Sequence, residues 1–312
     1  MKNTTIYQHL TLPQNNETST LPISEYEPHK CLCFRVAYFP IAKIRVIEHW
    51  KINLTMPLIS IIFFMVTIGL FIYDTWCTYP TKLMKILSIS ITCFSFLCGI
   101  MSYFLTIGTD PGYLPYNWAL TRRNDYTWEE KMSNFAIYKK QCDFVKTAEK
   151  PRRACYSNEA RRIVLRADHF CLWTKTWIGM KNHRYFMLLC FWISIYCLCN
   201  IGFRYYFWVN LVKNKFNWRV IFGLVSVFCL LYFCFISSYQ FIVAFINLSK
   251  NRTMIEVWKG SFDQYDIGCF NNFTEVCGKK STCILWIFPF FCIKPVEDGF
   301  YRNYSDSLSF VT

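Results

Sequence analysis

Charge is scarce in this chain. Only 17% of its 312 residues are Asp, Glu, Lys or Arg, whereas 20% are aromatic and 54% hydrophobic. Residues 54–73, 86–107, 185–203 and 220–248 hold no charged side chain at all. These stretches run to 20, 22, 19 and 29 residues, and about 20 suffice for a helix to cross a hydrocarbon core roughly 30 Å thick. A buried helix of a soluble domain seldom stays uncharged for so long, so a soluble fold is excluded and four transmembrane helices are expected. The polar residues 1–30 lack the short apolar core of a secretory leader, which leaves the first span to act as the targeting element. No internal repeat is present, and no span carries a charge to mark an ion or proton path.

Acidic residues are the scarcer charge, 20 against 34 Lys and Arg, for a net charge of +14. No nucleic-acid motif accompanies this excess, and basic residues flanking membrane spans suit anionic lipid instead. Residues 1–51, 108–184 and 249–312 together hold 28 Lys and Arg, and the short connections 74–85 and 204–219 hold 6. By the positive-inside rule, both termini and the central loop face the cytosol. The expected layout is a cytosolic tail over 1–51, helices 1 and 2 within 52–107, a cytosolic loop over 108–184, helices 3 and 4 within 185–248, and a cytosolic tail over 249–312. The apolar run 283–293, broken by Pro289, is too short to cross and lies at the interface or packs on protein.

Of 17 cysteines, Cys93, Cys98, Cys190, Cys197, Cys199, Cys229 and Cys234 fall inside spans, where cysteine behaves as a small apolar residue. Cysteines on the cytosolic side should be reduced thiols. The sequon at Asn251 falls on that side and reads as a chance match.

The loop holds the residues with chemistry. Cys171 follows Asp168-His169 with Phe170 between. A cysteine becomes a useful nucleophile when a nearby base or positive charge favours its thiolate. Histidine is the usual base near neutral pH, and a carboxylate can fix its tautomer. Around this trio stand Lys150-Pro151-Arg152-Arg153, Leu172-Trp173, Gly179 and Asn182. Beyond the loop come Asp110-Pro111-Gly112 after helix 2 and Thr253-Met254-Ile255-Glu256 after helix 4. Tyr265-Asp266-Ile267-Gly268, Asn272 and Val276-Cys277-Gly278 follow.

In order and spacing these motifs resemble the Asp-His-His-Cys (DHHC) protein S-acyltransferases, the membrane palmitoyltransferases, over roughly residues 50–290. That family's loop runs Lys-Pro-x-Arg, a Cys/His-rich stretch, Asp-His-His-Cys-Pro-Trp, then Asn-Cys-x-Gly-x-x-Asn. The resemblance implies an all-α, multi-pass protein of endomembranes or the plasma membrane, with a catalytic domain at about 138–188. It implies a palmitoyl-CoA donor, and cysteines of membrane-associated proteins as acceptors. Cys171 is then the nucleophile, His169 the general base and Asp168 the residue that orients it. Lys150 and Arg153 would contact the CoA phosphates, a role that suits fixed cations. Trp173 would wall the thioester site, and Phe186 and Tyr196 would line the acyl-chain site.

What the loop lacks is the family's metal ligands. The family holds two zinc ions with eight Cys and His residues. Without gaps, those positions fall on Asp143, Lys146, Tyr156 and Ile163, and on Ser157, Ala160, Phe170 and Trp177. None offers a thiolate or an imidazole, and a tetrahedral structural site needs four ligands, so no zinc is expected. The loop in this respect resembles fungal members with degenerate Cys-rich domains. The large apolar residues at four of the eight positions suggest a cluster that holds the loop in place of metal. Met254 replaces a Thr whose hydroxyl, in relatives, steadies the catalytic Asp, and a thioether cannot donate that bond. The missing ligands and hydroxyl keep a rival open: a catalytically silent membrane scaffold or binding partner for acylated proteins.

Overall fold

The computed structural model describes residues 55–114, 150–158, 162–204, 208, 209, 211, 213, 218–261 and 264–296, and the strands within 29–51. Two units make up the chain, one of residues 1–52, 110–168 and 297–312, the other of 53–109 and 169–296. Asp143, Lys146 and Ala160 lie outside the described residues.

The second unit contains four helices long and apolar enough to cross a membrane, as the uncharged runs predict. They are α1 (Thr55–Thr78), α2 (Lys82–Gly108), α3 (His183–Gly202) and α4 (Trp218–Ser249). Each extends past its uncharged run, because polar ends reach beyond the hydrocarbon while the backbone stays helical. Pro57 is tolerated in the first turn of α1, where its missing N–H has no intrahelical partner. Thr81 caps α2 by accepting from the Met84 N–H at 3.4 Å.

The helix α3 is central, with 67% of its apolar window buried against 33–39% for the other three. Gly99 of α2 lets α3 come close, since a Cβ there would stand 2.9 Å from Ile193 Cδ1. Phe64, Phe71, Phe96, Leu189, Ile193 and Leu230 fill the core between the helices. On the outside, Ile59, Leu97, Phe228 and Phe235 remain exposed, as side chains facing lipid would be.

After α4, Thr253 opens the short helix α5 (Met254–Trp258) with a capping box. Its hydroxyl accepts from the Glu256 N–H at 3.3 Å, and Glu256 Oε2 accepts the Thr253 N–H at 2.8 Å. The Thr-x-x-Glu motif is thereby explained locally. Asn251, 1% exposed, donates to the Tyr265 carbonyl at 2.8 Å, so its sequon side chain is already engaged. Asn272 of α6 (Cys269–Cys277) is fully buried and donates to Ser249 O and Asp266 Oδ1, each at 2.7 Å. The Tyr-Asp-x-Gly and Asn motifs therefore fasten α6 back onto the end of α4.

The run 283–293 packs on protein. A 3-10 helix (Lys280–Ile287) and the chain beyond it present their carbonyls to Arg184 at the start of α3. This guanidinium, 3% exposed, donates to Leu285, Trp286, Phe288 and Phe291 at 2.7–3.3 Å. Pro289 ends the 3-10 segment and the Trp192 indole holds Ile287 O at 2.8 Å. The chain is mostly helical rather than all-helical. Short strands occur in both units, and four (β1 His29–Cys31, β2 Phe34–Phe39, β3 Ile44–Ile47, β4 Trp50–Lys51) form an antiparallel meander within the N-terminal tail.

In the first unit, Asp110 Oδ1 accepts the N–H groups of Gly112 and Tyr113, closing a turn in which Gly112 has φ 104°. The chain then runs beside β6 (Arg162–Val164), with Leu114 N–H bonded to Ile163 O at 2.8 Å and Leu165 N–H to Gly112 O at 2.9 Å. β6 pairs with β5 (Cys155–Ser157), and the register sets Tyr156 opposite Ile163.

Candidate active site

In the second unit, β7 (His169–Cys171) and β8 (Thr176–Ile178) form an antiparallel hairpin immediately before α3. Side chains alternate along a strand, so His169 and Cys171, two apart, share one face. Their sequence spacing becomes spatial proximity for that reason. The His169 ring sits edge-on to Phe186 with centroids 4.9 Å apart. Burial pushes the Cys171 thiol up, but a hydrogen bond and positive charge from His169, with help from Thr174, outweigh it and leave Cys171 below the ordinary thiol range. A buried thiol held in this way is poised as a nucleophile.

The hairpin is pinned by Asn182, which is fully buried. Its Oδ1 accepts the Gly179 N–H at 2.9 Å, and its Nδ2 donates to Trp177 O at 2.8 Å and Thr106 O at 3.2 Å. One side chain thus ties β8 to both α2 and the start of α3, which accounts for the Gly-x-x-Asn spacing. Asn182→Ala leaves these partners unpaired at about 1–3 kcal/mol for each buried group. Lowered thermal stability in detergent, with slower Cys171 alkylation, is the expected result, and an unchanged melting temperature would contradict this role. Tyr103 of α2 adds a second tie by donating to the Trp173 carbonyl at 2.8 Å.

Cys171 and His169 face a cavity of about 280 Å³ bounded by all four long helices. Phe64, Leu189, Ile193, Phe233 and Ile236 make its walls predominantly apolar, and Ser60, Ser237 and Gln240 add a few polar points. Such a space accepts an alkyl chain whose reactive end meets Cys171. Trp173 lines it with its ring edge-on to Phe233 at 5.6 Å, and Phe186 lines it beside His169. Tyr196 stands one layer back, against Phe64 at 5.9 Å, and is fully buried. Its hydroxyl pairs with Thr67 at 2.8 Å and receives Asn200 Nδ2 at 3.0 Å, while Asn200 Oδ1 accepts Arg204 at 2.9 Å. That network of polar groups is not readable from the chain, where its members are isolated residues in apolar runs.

Lys150, Arg153 and Asp168 belong to the first unit. Lys150 and Arg153 are half-buried. Arg153 has φ 58° and its carbonyl accepts the Ala167 N–H at 3.0 Å. Asp168, the residue before β7, is 3% exposed.

Five of the eight positions matching the family's zinc ligands are described, and none of the five carries a thiolate or an imidazole. Phe170 and Trp177 face each other across the β7–β8 hairpin with ring centroids 6.1 Å apart. Tyr156 and Ile163 do the same across β5–β6, and Ile163 is fully buried. Ser157 is buried too. Aromatic and aliphatic carbons offer no donor to zinc, and no group of three or more His, Cys, Asp or Glu that could hold a metal occurs among the described residues. The apolar residues at these positions form a cross-strand pair within each hairpin.

The profile of the DHHC palmitoyltransferase family matches residues 136–261, which include this hairpin, α3 and α4. A probable protein S-acyltransferase 12 of Arabidopsis thaliana is 26% identical over 277 residues, covering 82% of this chain and 91% of that protein. The palmitoyltransferase ZDHHC15A of Danio rerio is 28% identical over 155 residues, covering 46% of this chain and 45% of its own length. The palmitoyltransferase AKR1 of Yarrowia lipolytica is 31% identical over 104 residues, 33% of this chain and 15% of that one. The stretch that matches the DHHC palmitoyltransferase family thus runs from the region before the His-x-Cys hairpin to just past the end of the fourth of four helices long and apolar enough to cross a membrane.

Proposed function

We propose that this protein is an active S-acyltransferase that takes a long-chain acyl group from palmitoyl-CoA onto Cys171 and passes it to cysteines of membrane-associated proteins. The observation that carries this reading is a low-pKa cysteine sharing a strand face with a histidine at a largely apolar cavity. The Cys171 proton passes to His169, and the thiolate attacks the thioester carbonyl carbon. A new carbon–sulfur bond forms there as the bond to the CoA sulfur breaks, and CoA leaves as a thiol once it regains a proton. The acceptor cysteine then attacks the same carbonyl and restores Cys171, in a ping-pong sequence. No change of oxidation state is needed.

Asp168, buried and adjacent to His169, is the candidate to orient it. Lys150 and Arg153 are candidates for the CoA phosphates on the chemistry of their charges. The distribution of Lys and Arg supports a cytosolic position for the hairpin. The cross-strand pairs Phe170–Trp177 and Tyr156–Ile163 support a loop built by packing instead of zinc.

The test uses the purified protein with labelled palmitoyl-CoA. Label should appear on the chain with release of CoA, and should move to an added membrane-anchored peptide bearing a cysteine. Protein that binds an acylated peptide but never acquires label would establish the silent scaffold instead.

A further inference from the structure

Thr174 stands in the turn joining β7 to β8, three residues after Cys171 and 1% exposed. It lines the same cavity as Cys171 and His169. Its Oγ1 is buried and has no hydrogen-bond partner. Leaving a buried hydroxyl unpaired is costly, and a catalytic role is one of the few reasons for a protein to keep such a group. The hydroxyl is not in bonding geometry with the Cys171 sulfur, yet it and the Thr174 backbone N–H lie close enough to favour the thiolate. The turn is also held in an uncommon shape, with Lys175 at φ 50°.

Attack of Cys171 on a thioester places a growing negative charge on the carbonyl oxygen, one atom beyond the new carbon–sulfur bond. His169 receives the thiol proton and is not a free donor at that moment. A donor serving this oxygen should sit beside the thiol, face the cavity and be held by no other protein group. Thr174 stands beside the thiol and lines the cavity, and its hydroxyl and N–H, which favour the resting thiolate, are placed to follow the charge as it passes from sulfur to the carbonyl oxygen. We propose that the Thr174 hydroxyl, together with its own backbone N–H, donates to the thioester carbonyl oxygen as it becomes an oxyanion during attack by Cys171. The proposal rests on the acyltransferase reading above and adds the group that stabilises its transition state. As the tetrahedral centre collapses, the oxygen's electron pair re-forms the carbonyl, the CoA thiolate departs, and Thr174 keeps its proton.

A neighbouring residue supplies the control. Thr176 is also buried with an unpartnered hydroxyl, and it faces Cys171 in the strand register, but it does not line the cavity. Single-turnover acylation by palmitoyl-CoA is to be measured for wild type, Thr174→Val, Thr174→Ser and Thr176→Val. Alkylation of Cys171 by iodoacetamide is followed across pH in parallel, because alkylation needs the thiolate but develops no oxyanion. Thr174→Val should acylate about 10²–10³ times more slowly, with its high-pH alkylation rate unchanged. Thr174→Ser should stay within a few-fold of wild type, as should Thr176→Val. The proposal is overturned if Thr174→Val acylates within a few-fold of wild type, or if its alkylation falls as far as its acylation. Equal losses in Thr174→Ser or Thr176→Val also overturn it. Wild-type protein that takes up no acyl group at all sinks the acyltransferase reading itself, a result distinct from each of these.

Discussion

Cys171→Ser should take up no hydroxylamine-labile acyl group from palmitoyl-CoA, and His169→Ala should acylate about 10²–10⁴ times more slowly than wild type. A serine hydroxyl is far less ionised than a thiol, and one histidine cannot make up that difference. The effect of His169 has a pH signature. Because its hydrogen bond and charge help hold Cys171 below the ordinary thiol range, the thiolate persists as pH falls into a region where common cysteines are protonated. In His169→Ala the burial of Cys171 acts without that opposition, so the alkylation profile moves to higher pH and activity at neutral pH drops with it. Undiminished label in Cys171→Ser would place the acyl group on another thiol, with Cys190, buried in the same cavity wall, the first to examine.

Trp177→Ala should destabilise the hairpin while chelators should not. Trp177 is half-buried against Phe170. Full burial of a tryptophan would make its truncation cost about 3–5 kcal/mol, and partial exposure brings the expected loss to about 2–3 kcal/mol. That loss should lower the melting temperature in detergent and slow acylation through displacement of Cys171, which directly follows Phe170. Exposure to a strong chelator should leave both melting temperature and acylation rate unchanged, with well under one zinc per chain by elemental analysis. Phe170→His should not rescue anything, since it adds one nitrogen ligand without three others and places a polar ring where an apolar one packs. Stoichiometric zinc together with inactivation on chelation would mean that other residues, Cys142, Cys155 and His183 first, supply ligands.

The membrane helices were legible because charge is so costly in hydrocarbon that its absence over 19–29 residues has few other causes. The spacing of His169 and Cys171 and their place between helices 2 and 3 point to them in the sequence, and the structure sets both on one cavity. The hairpin that brings His169 and Cys171 onto one face was not legible, since β7 and β8 are three residues each, too short for alternation to register as a pattern. By sequence, Arg184 is the last basic residue of the loop 108–184. In the structure it is the second residue of α3, and its charge is met by four carbonyls about 100 positions away in sequence. No local pattern announces a contact of that separation. Thr174 is silent in the sequence for a similar reason. A single threonine in a turn carries no signal until the cavity beside it is seen.

The identity of the acyl carrier can be read directly by mass spectrometry. Wild-type protein is incubated briefly with palmitoyl-CoA in the absence of acceptor, digested, and each cysteine-containing peptide examined before and after neutral hydroxylamine. The palmitoyl group should be found on the peptide containing Cys171, should be released by hydroxylamine, and should disappear from that peptide when an acceptor cysteine is added. An unmodified Cys171 alongside an acyl group on a different cysteine, or on none, would contradict the assignment.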